Sequence, residues 1–342
     1  MRAQRRRTGP SIRDVARLAG VSAQTVSRVS TGAETVRPET RAKVLHAMEQ
    51  LGYSPNRAAR ALRLGRFGAL GIMAHRYERT GEALSTAAVI DAAESMGYSV
   101  NLVSIQTADA DHWKDAAHRM SHQAIDGLII IRAELTTPEM LTLPPGLPVI
   151  VSDSRLIGHY PAVTADQAGG SRMAVEHLLG LGHRTVHHLA GPTDSEPALI
   201  RRATWEHTLN LAGVDAPEPW VGDWTPAAGY SFGLRAAADP DITAVYVAND
   251  EMAMGFLRAL HESGRRVPQD VSVVGFDGLA LGAYAYPPLT TVKQDFPGIG
   301  QKLVELLLEQ IRLRGTNHVP PARTVLPVEL IVRSSTGPAP VR

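Results

Sequence analysis

No cysteine occurs among the 342 residues. That excludes a disulfide framework, a thiolate metal site and a cysteine nucleophile together. No apolar run approaches the eighteen or so residues of a membrane span. The arginine-rich start is not followed by the apolar stretch of a secretory signal. G-x-S-x-G, Walker A and G-x-G-x-x-G patterns are missing too. Aromatics are scarce at 5%, so one outside an apolar run is informative. The expectation is a cytoplasmic, non-enzymatic chain without metal or cofactor.

What is present suffices to fold: 44% hydrophobic and 20% charged residues. The length exceeds what one core usually covers, so two or three domains are expected. The net charge of +1 hides an asymmetry. Residues 1–66 hold fourteen Arg/Lys against four acids, and residues 67–342 hold 21 against 30. A basic block on an acidic body suggests a nucleic-acid reader joined to something else.

In the basic block, Ser11 and Asp14 can form a capping box, with Ile12, Val15, Ala16 and Ala19 on one helical face. Gly20 is a stop, and Ser22 can cap a second helix over 23–30. This is the helix-turn-helix layout. A third helix is expected from Pro38 to about Leu51, with Val44, Leu45, Met48 and Leu51 inward. In the second helix Val26 and Val29 face in, while Gln24 and Arg28 share the outward face. Gln can read adenine and Arg guanine, and Ser22, Thr25 and Ser27 can bond phosphate or base edges beside Ala23. Asn56 can cap a short helix over 57–64, ended by Gly65 and marginal unless docked.

From Phe67 onward apolar runs alternate with helical patterns. Strands are expected at 68–74, 98–105, 126–132, 148–152, 185–190, 244–248, 271–276 and 324–332. Helices are expected near 81–96, 109–122, 167–181, 197–212, 226–237, 250–263 and 296–313. Such alternation means parallel, doubly wound sheets, and the number of strands favours two lobes. Ligands of such sheets bind beyond the carboxyl ends of strands. Asp153, Asn249, Asp277 and Gln294 each follow an apolar run, and Arg201 lies on the helix after Gly191-Pro192. Carboxylate, amide and guanidinium groups can each meet two adjacent hydroxyls, as a pyranose presents them. Trp224 is expected against the ligand's apolar face. Phe296 is divided between ligand and core. Asp153 with Asp277 also matches a glycosidase pair, but a cationic Arg201 and neutral Asn249 fit binding equally. The tract His183-Arg184-Thr185-Val186-His187-His188 has no metal-ligand spacing.

Asp14-Val15-Ala16, Gly20-Val21-Ser22, Thr25-Val26-Ser27-Arg28 and Tyr53-Ser54-Pro55-Asn56-Arg57-Ala58-Ala59 resemble the N-terminal signature of LacI-type bacterial repressors. Leu189-Ala190-Gly191-Pro192, Gly222-Asp223-Trp224, Val247-Ala248-Asn249-Asp250 and the run Pro287–Phe296 extend the resemblance over residues 8–336, toward the family's galactoside-responsive member. It implies a basic arm (1–9), a helix-turn-helix domain (10–56), a hinge helix (57–66) and a core like the periplasmic sugar-binding proteins. The core's N-subdomain would be 67–165 and 294–323 and its C-subdomain 166–293 and 324–336, with crossings near 164–166, 293–295 and 323–325 and a tail at 337–342. It assigns Leu62 to a minor-groove wedge, and Asn56 and Ala59 to minor-groove or backbone contact. It assigns galactoside hydroxyls to Asp153, Arg201, Asn249, Asp277 and Gln294, and aromatic contacts to Trp224 and Phe296.

Three departures stand out. Ala23 replaces a tyrosine, Tyr77 to Ser85 matches poorly, and no heptad run follows the Pro-rich tail. A homodimer on a palindromic operator, released by a small sugar, is the expected function. A regulator of another sugar or a nucleobase, an activator, and a sugar-binding or sugar-cleaving protein are the other readings.

Overall fold

The computed structural model describes residues 9–30, 35–54, 66–76, 79–105, 110–133, 136–315 and 322–341. Asn56, Ala59, Leu62 and the expected hinge helix, apart from Arg66, lie outside the described residues. The chain divides into two compact units, one up to Phe67 and one from Gly68.

Among the described residues the first unit has three helices: α1 (Ile12–Ala19), α2 (Ala23–Ser30) and α3 (Pro38–Leu51). Ser11 Oγ accepts from the Asp14 amide, and Asp14 Oδ2 accepts from the Ser11 amide at 3.0 Å, so the capping box closes. Gly20 ends α1 at φ 65°, a conformation that costs a Cβ-bearing residue more. Ser22 Oγ accepts from the Thr25 amide at 3.1 Å and starts α2. Val15, Ala16, Val26, Val29, Val44, Ala47 and Met48 form the core. Leu45, expected inward, is 52% exposed. The face of α3 centres on Val44, Ala47 and Met48, and Leu45 is rotated off it by about 100°.

Among its described residues the second unit holds two six-stranded sheets. The first contains β1 (Ala69–His75), β2 (Ser99–Ile105), β3 (Gly127–Ile131), β4 (Val149–Ser152), β5 (Ala162–Ala165) and β11 (Arg323–Leu326). Its order is β11-β5-β4-β3-β1-β2, all parallel. The second contains β6 (His187–Ala190), β7 (Trp220–Val221), β8 (Ala244–Val247), β9 (Ser272–Asp277), β10 (Thr290–Lys293) and β12 (Glu329–Ile331). Its order is β12-β10-β9-β8-β6-β7, with only β12 antiparallel.

Helices α4 (Thr80–Ser95), α5 (Ala110–Ser121), α6 (Gln167–Gly180), α7 (Glu196–Leu211), α8 (Pro226–Ala238), α9 (Asp250–Glu262) and α10 (Phe296–Arg312) alternate with the strands. Neighbouring residues feed opposite faces: Leu70 and Ile72 join one apolar cluster, Ala69 and Met73 another. Each sheet therefore has an apolar layer on both sides, the doubly wound arrangement.

The chain passes between sheets after β5, after β10 and after β11. The strand expected at 324–332 is two strands in different sheets, because Val325 and Leu326 pair with Thr164 and Ala165 while Leu330 pairs with Val292. The third passage thus falls at 327–328, beyond 323–325, where Pro327 has no N–H for a ladder. No described helix is long and apolar enough to cross a membrane.

Candidate functional site

On α2, Gln24 and Arg28 are exposed one turn apart, beside exposed Ser22 and half-buried Ala23, Thr25 and Ser27. Buried Val26 and Val29 fix the opposite face. Thr25 Oγ1 and Ser22 Oγ are 2.9 Å apart and tie the turn to the helix start.

In the second unit the strand order reverses between β1 and β3 and between β6 and β8, the switch points where α/β sheets hold ligands. Strand-end residues gather in a narrow cleft of about 20 Å³, lined by Arg79, Thr80, Gly81, Glu82, Arg132, Arg201, Trp224, Asn249, Glu251 and Asp277. Non-glycine residues with positive φ concentrate here: Arg132, Asp153, Trp224 and Asp277, with Arg76 after β1. Such residues cost about 1–3 kcal/mol each and cluster at ligand sites.

The second lobe's side is a closed network. Arg201 is 1% exposed on α7. Its Nε donates to Gln167 Oε1 at 2.8 Å, its Nη1 to the Ala248 carbonyl, and its Nη2 lies 3.5 Å from Asp277 Oδ1. The guanidinium lies over the Phe276 ring, 3.7 Å from its centroid, and 5.7 Å from that of Trp224. Gln294 Nε2 donates to Asp277 Oδ1 at 2.8 Å and Gln294 Oε1 accepts from Gln167 at 3.1 Å. Asn249 caps α9 through the Met252 amide and donates to the Trp224 carbonyl at 3.2 Å. Trp224 lies tight on the chain at Gly191, where an added Cβ would stand 2.3 Å from the indole. Its Nε1 is buried without a hydrogen-bond partner.

Burial pushes Asp277 up to about 6 against the pull of Arg201 and Arg132. Burial likewise raises Asp153, outweighing Arg132, Arg201 and the Gln167 amide. Behind them Asp250, pushed up to about 8 by burial and then by Asp277, accepts from the Leu279 amide at 2.7 Å and from Thr291 Oγ1 at 2.5 Å. It braces the turn that carries Asp277.

Of the residues expected to bind ligand, Arg201, Trp224, Asn249 and Asp277 line the open space, while Asp153 and Gln294 stand behind it. Phe296 is placed elsewhere: it lines a groove between α4 and α10 with Leu84, Ala88 and Met96. Sequence reasoning passed over Arg132, although it follows the run Gly127–Ile131 as Asp153 follows its own. It also missed Gln167, whose amide bridges Arg201 and Gln294. Its position at the start of α6, behind the passage from β5, was the available sign.

The histidines of 183–188 have structural places. His183 contacts Thr243, Ser272 and the Gly337 carbonyl. His187 stacks on Trp220 and His188 on Tyr246, on opposite faces of β6. Burial pulls His188 down to about 3.

Residues 11–56 match the family model described as "Bacterial regulatory proteins, lacI family", and residues 175–336 match the "Periplasmic binding protein-like domain". The chain is 35% identical over 329 residues to the lactose operon repressor of Escherichia coli, covering 94% of this chain and 89% of that protein. It is 34% identical over 345 residues to the HTH-type transcriptional regulator CelR of Thermobifida fusca, covering 96% and 99%. A crystal structure of the Lac repressor dimer bound to operator and the anti-inducer ONPF superposes with a TM-score of 0.84 at 33% identity, covering 96% of this chain and all of that one.

Proposed function

Since the chain belongs to the LacI family of DNA-binding transcription regulators, we propose that it is a repressor: a homodimer that grips a palindromic operator and lets go when a galactoside fills the cleft. The observation that carries the ligand half is the convergence of Arg201, Trp224, Asn249 and Asp277 on one cleft. Ionised Asp277 accepts from two adjacent hydroxyls, Arg201 and Asn249 supply donors, and the indole covers the apolar C–H face.

On DNA, Gln24 and Arg28 read base edges, Ser22, Thr25 and Ser27 bond backbone or base edges, and Ala23 touches the groove wall. Asn56 and Ala59 contact the minor groove or backbone and Leu62 wedges a base step, as the family resemblance implies. Head arginines supply a salt-sensitive phosphate term. Exposed Leu281, Tyr284 and Tyr286, at 71, 86 and 85%, give the second lobe an apolar patch suited to a second copy. Coupling requires the sugar to bind the released and gripping states unequally, through a lobe movement that separates the hinge segments.

Titration calorimetry with galactosides, glucosides and nucleobases tests the effector. Heat with galactosides is expected. Heat with a nucleobase alone, or with glucosides alone, overturns the galactoside assignment.

A further inference from the structure

Away from the cleft, the exposed side of α5 carries a second arrangement with a chemical meaning. Trp113, Ala116, Ala117 and Met120 bury one face of that helix. At 100° per residue, Asp111, Asp115, His118 and His122 fall within about 60° of one another on the opposite face, and all four are exposed. His118 lies in the last turn and His122 is the first residue beyond it. Their Nε2 atoms stand 3.3 Å apart, with the ring planes at 87°. One nitrogen donates and the other accepts. So long an N–H···N bond between solvent-facing rings adds little stability, and packing does not account for the pair.

The same separation has another use. Two imidazole nitrogens on one tetrahedral zinc ion, each at about 2.0–2.1 Å, stand about 3.3–3.4 Å apart. The i, i+4 spacing is also that of paired zinc-binding histidines on a helix. Loading removes no proton: the donating ring moves its hydrogen to Nδ1, which frees the second Nε2 lone pair for the ion. The setting favours a cation. The last carbonyls of a helix carry partial negative charge, and Asp115 lies one turn before His118. Ser121 Oγ donates to the His118 carbonyl at 2.7 Å and holds the last turn in place. Among the described residues no three His, Asp or Glu side chains gather into a closed metal centre. The ion therefore keeps water in its remaining positions and exchanges with the medium.

We infer that His118 and His122 form a two-imidazole chelate for a divalent transition-metal ion of the zinc class, open to solvent and built from residues that do not line the effector cleft. This sets aside the expectation of a chain without metal.

The test is calorimetry of the untagged full chain titrated with Zn²⁺, beside His118→Ala, His122→Ala and His112→Ala. All three positions are exposed and alanine suits a helix, so the variants keep the fold. Chelation makes the second nitrogen's contact intramolecular, and losing either ring should weaken the site by about a hundredfold or more. His112, on the same helix but off the stripe, should be dispensable. Uptake of Zn²⁺ that His118→Ala and His122→Ala each abolish, and that His112→Ala leaves in place, is the predicted result. A native chain that takes up no Zn²⁺ overturns the inference. So does a titration that His118→Ala or His122→Ala leaves unchanged, or an equal loss in His112→Ala.

Discussion

The two walls of the cleft are built on opposite plans. On the second lobe, Arg201 has partners on Gln167, Ala248 and Asp277, and Gln294 closes the ring. On the first lobe, Glu82 and Arg79 face each other across distances that no direct hydrogen bond spans. A closed network holds its geometry before ligand arrives and loses much when one member goes. An open one waits for its partner and discriminates among ligands. In the proposed function the second lobe would supply affinity and the first selectivity.

The strongest way to break that contrast is Arg201→Leu. It strands Asp277 and Gln167 in a buried site, a loss of about 3–5 kcal/mol. Sugar affinity by calorimetry should fall by about two to three orders of magnitude. Operator binding by anisotropy should persist but no longer respond to sugar. A fall of less than fivefold would move the affinity centre elsewhere.

Next comes a pair of glycines. At Gly191 an added Cβ meets the Trp224 ring at 2.3 Å, within packed core. Gly191→Ala should cost about 1–3 kcal/mol in a denaturant melt and weaken sugar binding. At Gly81 the same Cβ meets only the end of the Arg132 side chain, at 3.3 Å. In α4 alanine also gains about 1 kcal/mol of helix propensity over glycine. Gly81→Ala should therefore leave stability level or raised, and equal destabilisation at both sites would dissolve the distinction between the walls.

A smaller effect is read in pH. Asp277 is raised to about 6 by burial, and its ionised form is the acceptor for hydroxyls. Sugar affinity should hold above pH 6 and decline below it, by at most about tenfold per unit. Asp277→Asn should bind weakly with a flat profile. For stability the sign is reversed. A carboxyl held above its unfolded value keeps its proton longer when folded, so Asp250, at about 8, favours the fold at low pH. That contribution is lost as pH rises from about 4 toward 8. Asp250→Asn should flatten that slope in urea melts.

The unequal plan also explains what the sequence made legible. The head was readable because its signals are local: Ser11, Gly20, Ser22 and Pro38 punctuate short helices at their observed ends. The long helices of the body were readable to within a residue or two, since each lies between apolar strands. Strands β5, β7 and β10 were not, because Ala162–Ala165 and Thr290–Lys293 are short and partly polar and Trp220–Val221 spans two residues. They exist through pairing with β4, β6 and β9, a tertiary effect. In the cleft, Asp153, Asn249, Asp277 and Gln294 announced themselves by following apolar runs. Arg79 and Glu82 sit at the start of α4 after a stretch with no such marker, and only the fold brings them to Arg132. Phe296 shares its chain neighbourhood with Gln294, yet the start of α10 turns its ring toward α4. Adjacency in sequence says little about direction at a helix start.

The claim on which the rest depends is that cleft occupancy and operator grip draw on one equilibrium. The direct measurement is operator affinity by fluorescence anisotropy at fixed ionic strength, with and without a saturating sugar that calorimetry shows to bind. A shift between roughly 5- and 150-fold, the usual size of such coupling, and its disappearance in Arg201→Leu, is the predicted result. An operator affinity unchanged by a sugar that demonstrably fills the cleft would contradict the account.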